Sequence, residues 1–268
     1  MIRLLCADVD GTLVGANGVV HPDIWPAVDR ARAAGIRLAL CSGRPAFGIT
    51  RDYAERLAPD GWHIFQNGAS VVRFPDGRTH SVRLDPTQVQ ALIARARATG
   101  RTLELYSDLD YAVEEDSEST RQHADLLGVE LTPRPLEAFD QAVVRAQWMV
   151  PRALHDELLA ETYPGIEMWP STSPLMPDTL FVALLPIGVS KGTGVQALAE
   201  EYGVPLEDIM FVGDAWNDIP ALQLVGHPVA MGNAEPEALA IARHVVGHVD
   251  DGGLAAALDL AVRLREDG

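Results

Sequence analysis

The feature that most narrows the fold is a short apolar stretch that stops abruptly on a carboxylate: residues 2–7 are nearly all apolar, and Asp8 ends them. A strand of that composition is buried on both faces, the condition of a parallel sheet with helices above and below it. The pattern returns at 36–41, which ends on Ser42, and at 209–212, which ends on Gly213-Asp214. Between the first two runs Ile24, Val28 and Ala31 recur at helical spacing until Gly35, and a second helix is predicted over about 46–57 before a third strand at 62–66. This alternation implies right-handed crossovers and a doubly wound, Rossmann-like α/β core whose ligands bind at the carboxyl ends of the strands.

The rhythm then changes. Asn67-Gly68 and Asp76-Gly77 punctuate two short runs, 69–74 and 79–84, that read as a hairpin. Helices are predicted over 87–98, 118–127 and 152–163, and strands over 102–106, 111–114 and 143–149. Strands arriving in pairs indicate an antiparallel sheet with helices on one face, an α+β module set into the core. The first rhythm resumes with a helix from Ser190-Lys191-Gly192 to Tyr202, the strand 209–212, apolar runs at 229–231 and 245–246, and a last helix over 254–264. The expected organisation is a catalytic core of 1–84 and 185–268 and an inserted cap of 85–184.

Composition excludes several functions. Thirty-eight acids against twenty-one Lys and Arg give a formal charge of −17, which repels nucleic acid and anionic membranes. Cys6 and Cys41 both lie in buried apolar runs and form neither a disulfide framework nor a Cys-x-x-Cys metal signature. With no apolar run approaching the length of a membrane span and no leader pattern at its start, the sequence reads as cytoplasmic. His244 and His248 are four apart, but strand and turn residues separate them, which argues against a paired metal site. No phosphate loop of the nucleotide-binding kind and no dinucleotide fingerprint is present. Oligomeric state is not legible in the sequence.

The chemistry gathers at the strand ends. Asp8-Val9-Asp10-Gly11-Thr12 sends two carboxylates at i and i+2 from the end of a buried strand toward one side, where a divalent cation would screen their repulsion and a phosphate would be attacked. The segment after Gly11 lacks the oxygen ligands of a calcium loop; the bland alternative is a turn. Ser42-Gly43-Arg44 places a hydroxyl beside backbone free of a Cβ, the form of a phosphate cradle. Lys191 stands at a helix start and adds a full positive charge, and Asp214, after an apolar strand, needs a partner that a metal provides.

Taken together these residues resemble the haloacid dehalogenase-like superfamily, in its Cof-type phosphatase branch with a large cap. The first motif, Asp8-Val9-Asp10-Gly11-Thr12, the second, Ser42-Gly43-Arg44, the third, Lys191, and the fourth, Gly213-Asp214-x-x-Asn217-Asp218, occur in order, and nearly the whole chain matches in layout. Asn67-Gly68-Ala69 and Val229-Ala230-Met231-Gly232-Asn233-Ala234 also resemble this branch, whereas Trp216 is bulky for the variable part of the fourth motif. The resemblance implies a phosphatase acting on a small phosphorylated metabolite such as a sugar phosphate. Asp8 would be its nucleophile and Asp10 its general acid and then base. Mg2+ would be held by the carboxylates of Asp8 and Asp214 and the carbonyl of Asp10. Ser42, Gly43 and Lys191 would hold the phosphate. Asn217 contacts phosphate or a metal-bound water in this scheme, Asp218 orients Lys191 or a water, and Asn67 stands behind them. The cap offers Arg121, Arg145, Trp148, Trp169 and Met176 as selectivity residues. A phosphosugar mutase on the same motifs is the nearest rival, and a phosphorylation-controlled domain a more distant one.

Overall fold

Four apolar residues make the first strand, β1 (Leu4–Ala7), and all four are buried because the sheet continues on both sides of them. The protein is described here from a computed structural model covering residues 1–15, 18–173 and 175–266. It divides into two compact units: Met1–Arg44, Asp52–His80 and Ser190–Gly268 form one, and Pro45–Arg51 with Ser81–Val189 the other.

In the first unit β1 is followed by α1 (Ile24–Ala33), β2 (Arg37–Leu40), α2 (Ile49–Leu57, which begins in the second unit's segment), β3 (Trp62–Phe65), β4 (Ser70–Arg73) and β5 (Thr79–Ser81). After the second unit come α6 (Lys191–Tyr202), β11 (Ile209–Gly213), α7 (Ile219–Leu224), β12 (His227–Ala230), α8 (Pro236–Ile241), β13 (His244–Val245) and α9 (Gly253–Glu266). The strand order β13-β12-β11-β1-β2 is parallel throughout, and a bridge between Cys41 and Ile64 leads on to the β3-β4-β5 sheet, in which β3 and β4 are antiparallel. From β1 the sheet grows through β2 in one direction and through β11 in the other. The carboxyl end of β1 is therefore the switch point at which crossover chains diverge and leave a crevice. Leu4, Cys6, Ala39, Cys41, Ile209 and Phe211 pack with Val195 and Leu198 of α6 and with Ala221 and Leu222 of α7. The short helices α7 and α8 were not expected from the sequence; each carries a Pro in its first turn and spans six residues, too few to show a helical period.

The second unit contains α3 (Pro86–Thr99), β6 (Thr102–Tyr106), β7 (Tyr111–Ala112), α4 (Glu118–Leu127), β8 (Arg145–Pro151), α5 (His155–Leu159), β9 (Ile166–Ser173) and β10 (Met176–Pro186). The sheet is antiparallel, in the order β7-β6-β8-β10-β9. Leu103, Leu105, Trp148, Leu180 and Val182 face Leu92 and Ile93 of α3 and Leu158 of α5. The helices are not confined to that face. On the other one His123 of α4 bonds Glu104 at 2.8 Å and Leu126 packs on Met149, Met176 and Phe181. The helix expected over 152–163 is a 3-10 turn followed by a helix that ends at Leu159, because Glu161 turns to bond Arg95, Arg101 and Tyr163. Among the cap candidates, Trp148 and Met176 are packing residues, and Arg121 pairs with Asp116 at 2.7 Å.

One buried histidine sets a pH limit on the first unit. His63 Nδ1 accepts from the Leu40 N–H at 3.0 Å and Nε2 lies 2.9 Å from the Ala58 carbonyl, so the neutral Nε2–H tautomer fills both roles. Burial lowers its pKa from 6.5 to about 4. The unfolded chain binds the extra proton between those values, so stability falls as pH drops from 6.5 toward 4. In urea melts the native protein is expected to lose roughly 2–3 kcal/mol more between pH 7 and 4.5 than His63→Gln, which keeps an acceptor but does not titrate. Equal losses in the two proteins would contradict this account.

Candidate active site

Parallel strands deliver their carboxyl ends to one edge, and here that edge collects the polar residues that terminate β1, β2 and β11. Asp8 follows β1, Ser42 follows β2 by two residues, and Asp214 follows β11. Lys191 reaches the same edge from the start of α6, where Ser190 caps the helix and shares a capping box with Thr193.

Lys191 is fully buried and its ammonium donates to Asp8 Oδ1 and to Asp218 Oδ1, both at 2.6 Å. Asp218 uses its other oxygen to accept from the backbone N–H groups of Asp214, at 2.9 Å, and Ala215, at 3.0 Å. Both Asp218 oxygens are thus engaged in fixing Lys191 and the turn that carries Asp214. Asp214 is itself held by Thr12 Oγ1 at 3.2 Å and Asn233 Nδ2 at 3.4 Å, and Asn233 also donates to the Gly11 carbonyl at 2.8 Å. Thr12 and Asn233 had no assigned role in the sequence analysis. Only their contacts with Asp214 and Gly11 reveal one.

One oxygen each of Asp8, Asp214 and Asp218 lies within 4.8 Å of the others. Burial, and then the Asp218 carboxylate, hold Asp8 well above the usual carboxylate range and raise Asp214 to about 7, with Lys191 opposing in both cases. Burial works against the charge of Lys191, but Asp218 and Asp8 outweigh it and hold the ammonium above the usual lysine range. A site whose acids are driven toward protonation by burial and by one another is a site that a cation relieves. The donors fit Mg2+: they are hard carboxylate oxygens with no His or Cys among them. The backbone also leaves room beside Asp214, because Gly11, at φ 80°, stands where a Cβ would come within 2.1 Å of Asp214 Oδ2.

The expected phosphate residues form a second patch on the same edge. Ser42 is buried, and its Oγ accepts from the Arg44 N–H at 3.1 Å, which leaves the hydroxyl hydrogen free to donate. The Asn67 N–H bonds the Ser42 carbonyl at 3.0 Å, and Asn217 Nδ2 donates to Asn67 Oδ1 at 2.9 Å. A Cβ on Gly43 would lie 3.0 Å from Asn67 Oδ1. Asp10 stands apart from the three clustered carboxylates: both its oxygens accept from Arg44, at 2.9 and 2.5 Å. Trp216 is 60% exposed.

Comparison with known proteins supplies the context for this arrangement. The family described as haloacid dehalogenase-like hydrolase matches residues 5–258. A Cronobacter sakazakii protein named HMP-PP phosphatase is 27% identical over 92% of this chain and 91% of its own. The stress response protein YhaX of Bacillus subtilis is 24% identical over 94% and 91%. Among solved structures, a phosphatase of the haloalkanoate (HAD) enzyme superfamily from Bacteroides thetaiotaomicron superposes with a TM-score of 0.79 at 26% identity, covering 97% of this chain and 95% of its own. TM0651 from Thermotoga maritima shares the fold at a TM-score of 0.83 and 21% identity, covering 97% of each chain.

The buried Lys191 makes a stability test of the site possible. Lys191→Met leaves two buried carboxylates facing each other and is expected to cost about 3–5 kcal/mol in a urea melt at pH 7. Adding Asp218→Asn should recover part of that loss, since one of the uncompensated charges disappears. Strict additivity of the two changes would show that the three groups do not act as a unit.

Proposed function

The chain belongs to the haloacid dehalogenase-like hydrolase family, and from that premise we propose that it is a Mg2+-dependent phosphatase of small phosphomonoesters, sugar phosphates among them, working through an aspartyl phosphate on Asp8. The observation that carries the reading is the buried Lys191 bridging Asp8 and Asp218 beside Asp214. It keeps one carboxylate oxygen of Asp8 engaged and the other for attack.

Mg2+, held by the carboxylates of Asp8 and Asp214 and the carbonyl of Asp10, would supply positive charge against the phosphate oxygens. Lys191 adds its own charge, and the Ser42 hydroxyl and the backbone at Gly43 bind the same oxygens. Asp8 attacks phosphorus in line with the leaving oxygen, whose bond breaks as Asp10 gives it a proton. Water then attacks the phosphorus of the aspartyl phosphate while Asp10 takes its proton, and Asp8 is released as carboxylate with inorganic phosphate. Asn217, tied to Asn67, orients the phosphate or a water, and Asp218 positions Lys191. The second unit is the proposed source of selectivity for the leaving group, as a cap. No helix among the described residues is long and apolar enough to cross a membrane.

The test is a panel of phosphorylated metabolites with purified protein. Release of phosphate should require Mg2+, stop on chelation and return when the metal is restored. Asp8→Asn should lose at least three orders of magnitude in kcat, since covalent catalysis has no substitute in this site. Full turnover in metal-free buffer, or a phosphoenzyme formed by Asp8→Asn, would overturn the mechanism. Transfer of the phosphoryl group back to a sugar instead of water would identify a mutase.

A further inference from the structure

We infer that the consecutive left-handed residues Gln66 and Asn67 form a backbone clamp that turns the carbonyls of Ser42 and Arg44 away from the phosphate, with Asn67 as its positioning residue. The inference rests on the reading of Ser42 and Gly43 as phosphate residues and deepens it, by naming what gives their loop the polarity an anion needs.

A peptide loop carries acceptors as well as donors, so it receives an anion only if its carbonyls point elsewhere. Ser42-Gly43-Arg44 is short of donors, because Pro45 follows it and the peptide between Arg44 and Pro45 has a carbonyl but no N–H. The Asn67 N–H donates to the Ser42 carbonyl and the Gln66 N–H to the Arg44 carbonyl, both at 3.0 Å. The peptide between Ser42 and Gly43 is trans, so anchoring its carbonyl on Asn67 sends the Gly43 N–H in the opposite direction. The N–H groups of the two clamped residues are engaged as well: Ser42 donates to the Ile64 carbonyl at 2.9 Å and Arg44 to Ser42 Oγ at 3.1 Å.

Successive N–H groups of a strand alternate sides, so two of them reach one loop only where the strand ends in a turn. Phe65 is still extended, at φ −128° and ψ 169°. Gln66 and Asn67 then take φ values of 52° and 55°, and Gly68 follows at 98°. Among the described residues, Gln66 and Asn67 are the non-glycine residues with positive φ. Asn enters this region readily and Gln does not; for an L-residue the penalty amounts to about fivefold to thirtyfold in population.

The surroundings enforce that conformation. The Gln66 side chain is fully buried, and α6 presses on the turn from behind, where a Cβ on Gly194 would lie 3.1 Å from Gly68 Cα. In front, Asn67 Oδ1 accepts from Asn217 at 2.9 Å and stands where a Cβ on Gly43 would come within 3.0 Å. Strain held in place on both sides, on a turn whose N–H groups take both loop carbonyls, is the observation that carries the inference.

Three substitutions at one position test the backbone apart from the side chain. Asn67→Gly, Asn67→Ala and Asn67→Val all lack the amide that accepts from Asn217, and they differ in tolerance of positive φ, with Gly best and the β-branched Val worst. Inorganic phosphate is titrated calorimetrically into each folded protein with Mg2+ present. Kd should rise by about fivefold from Asn67→Gly to Asn67→Ala and further in Asn67→Val. With p-nitrophenyl phosphate, KM should rise in the same order and by more than kcat falls. A flat series in Kd, or one in which Asn67→Gly binds weakest, would overturn the inference. So would thermal midpoints that fall from Gly to Val while Kd stays constant, the mark of a purely structural turn, or a fall in kcat alone. The Gly and Ala variants decide the matter if Asn67→Val does not fold. Native protein that binds no phosphate would overturn the reading of Ser42 and Gly43 together with the clamp, whereas a binding native protein with a flat series overturns the clamp alone.

Discussion

The buried ammonium of Lys191 is the interaction on which the rest of the site depends. A fully buried lysine is tolerated only where opposite charge is close enough to offset its desolvation, and Asp8 and Asp218 supply that at 2.6 Å each. The dependence is mutual, because among the described residues neither acid has another cation at such a distance. Asp218 passes the constraint on by fixing the backbone of Asp214 and Ala215. To bring Lys191 to the strand ends, α6 must lie against the turn after β3 with almost no clearance. Gly68, at φ 98°, occupies a place where a Cβ would meet the Ser190 carbonyl at 2.0 Å. Helix capping, a glycine turn and a buried salt bridge are thus one requirement seen at three levels of structure.

The sheet topology explains why so few residues suffice. Asp8, Ser42 and Asp214 come from strands separated by long stretches of chain, yet β1, β2 and β11 are parallel neighbours that end on the same edge. The antiparallel sheet of the second unit has no such edge, since its strand ends alternate. Its polar side chains sit on a face instead, where Glu104 accepts from His123, Tyr106 and Gln147 in a buried network.

Much of this was legible because the sequence marks strand ends and helix starts by composition. The reading of residues 118–127 as a helix coincides with α4, where Ser117 and Thr120 form a capping box and Gly128 takes the left-handed conformation at the end. The reading of 152–163 did not hold, since tertiary ion pairs at Glu161 outweigh local propensity. The expectation of helices on one face of the second sheet failed at α4, whose buried His123 reads in sequence like any polar helix residue. At the site, Asp8 and Asp214 announce themselves by abrupt breaks in apolar runs, and Lys191 by its place at a helix start. Thr12, Arg44 and Asn233 do not, because what distinguishes them is a partner far away in the chain: Asp214 for Thr12, Asp10 for Arg44, and the Gly11 carbonyl for Asn233.

Charge at the strand ends bears on the proposed cation more directly than any single ligand. Asp8, Asp10, Asp214 and Asp218 gather there against Lys191 and Arg44, and burial together with that crowding pushes Asp8 and Asp214 toward protonation. Arg44 is fully occupied by Asp10, and Lys191 is shared between two acids. A phosphate dianion entering this site would meet net repulsion, in a chain whose overall formal charge is already −17. The proposed divalent cation would favour the ionised forms of Asp8 and Asp214 and offset the repulsion toward a substrate dianion.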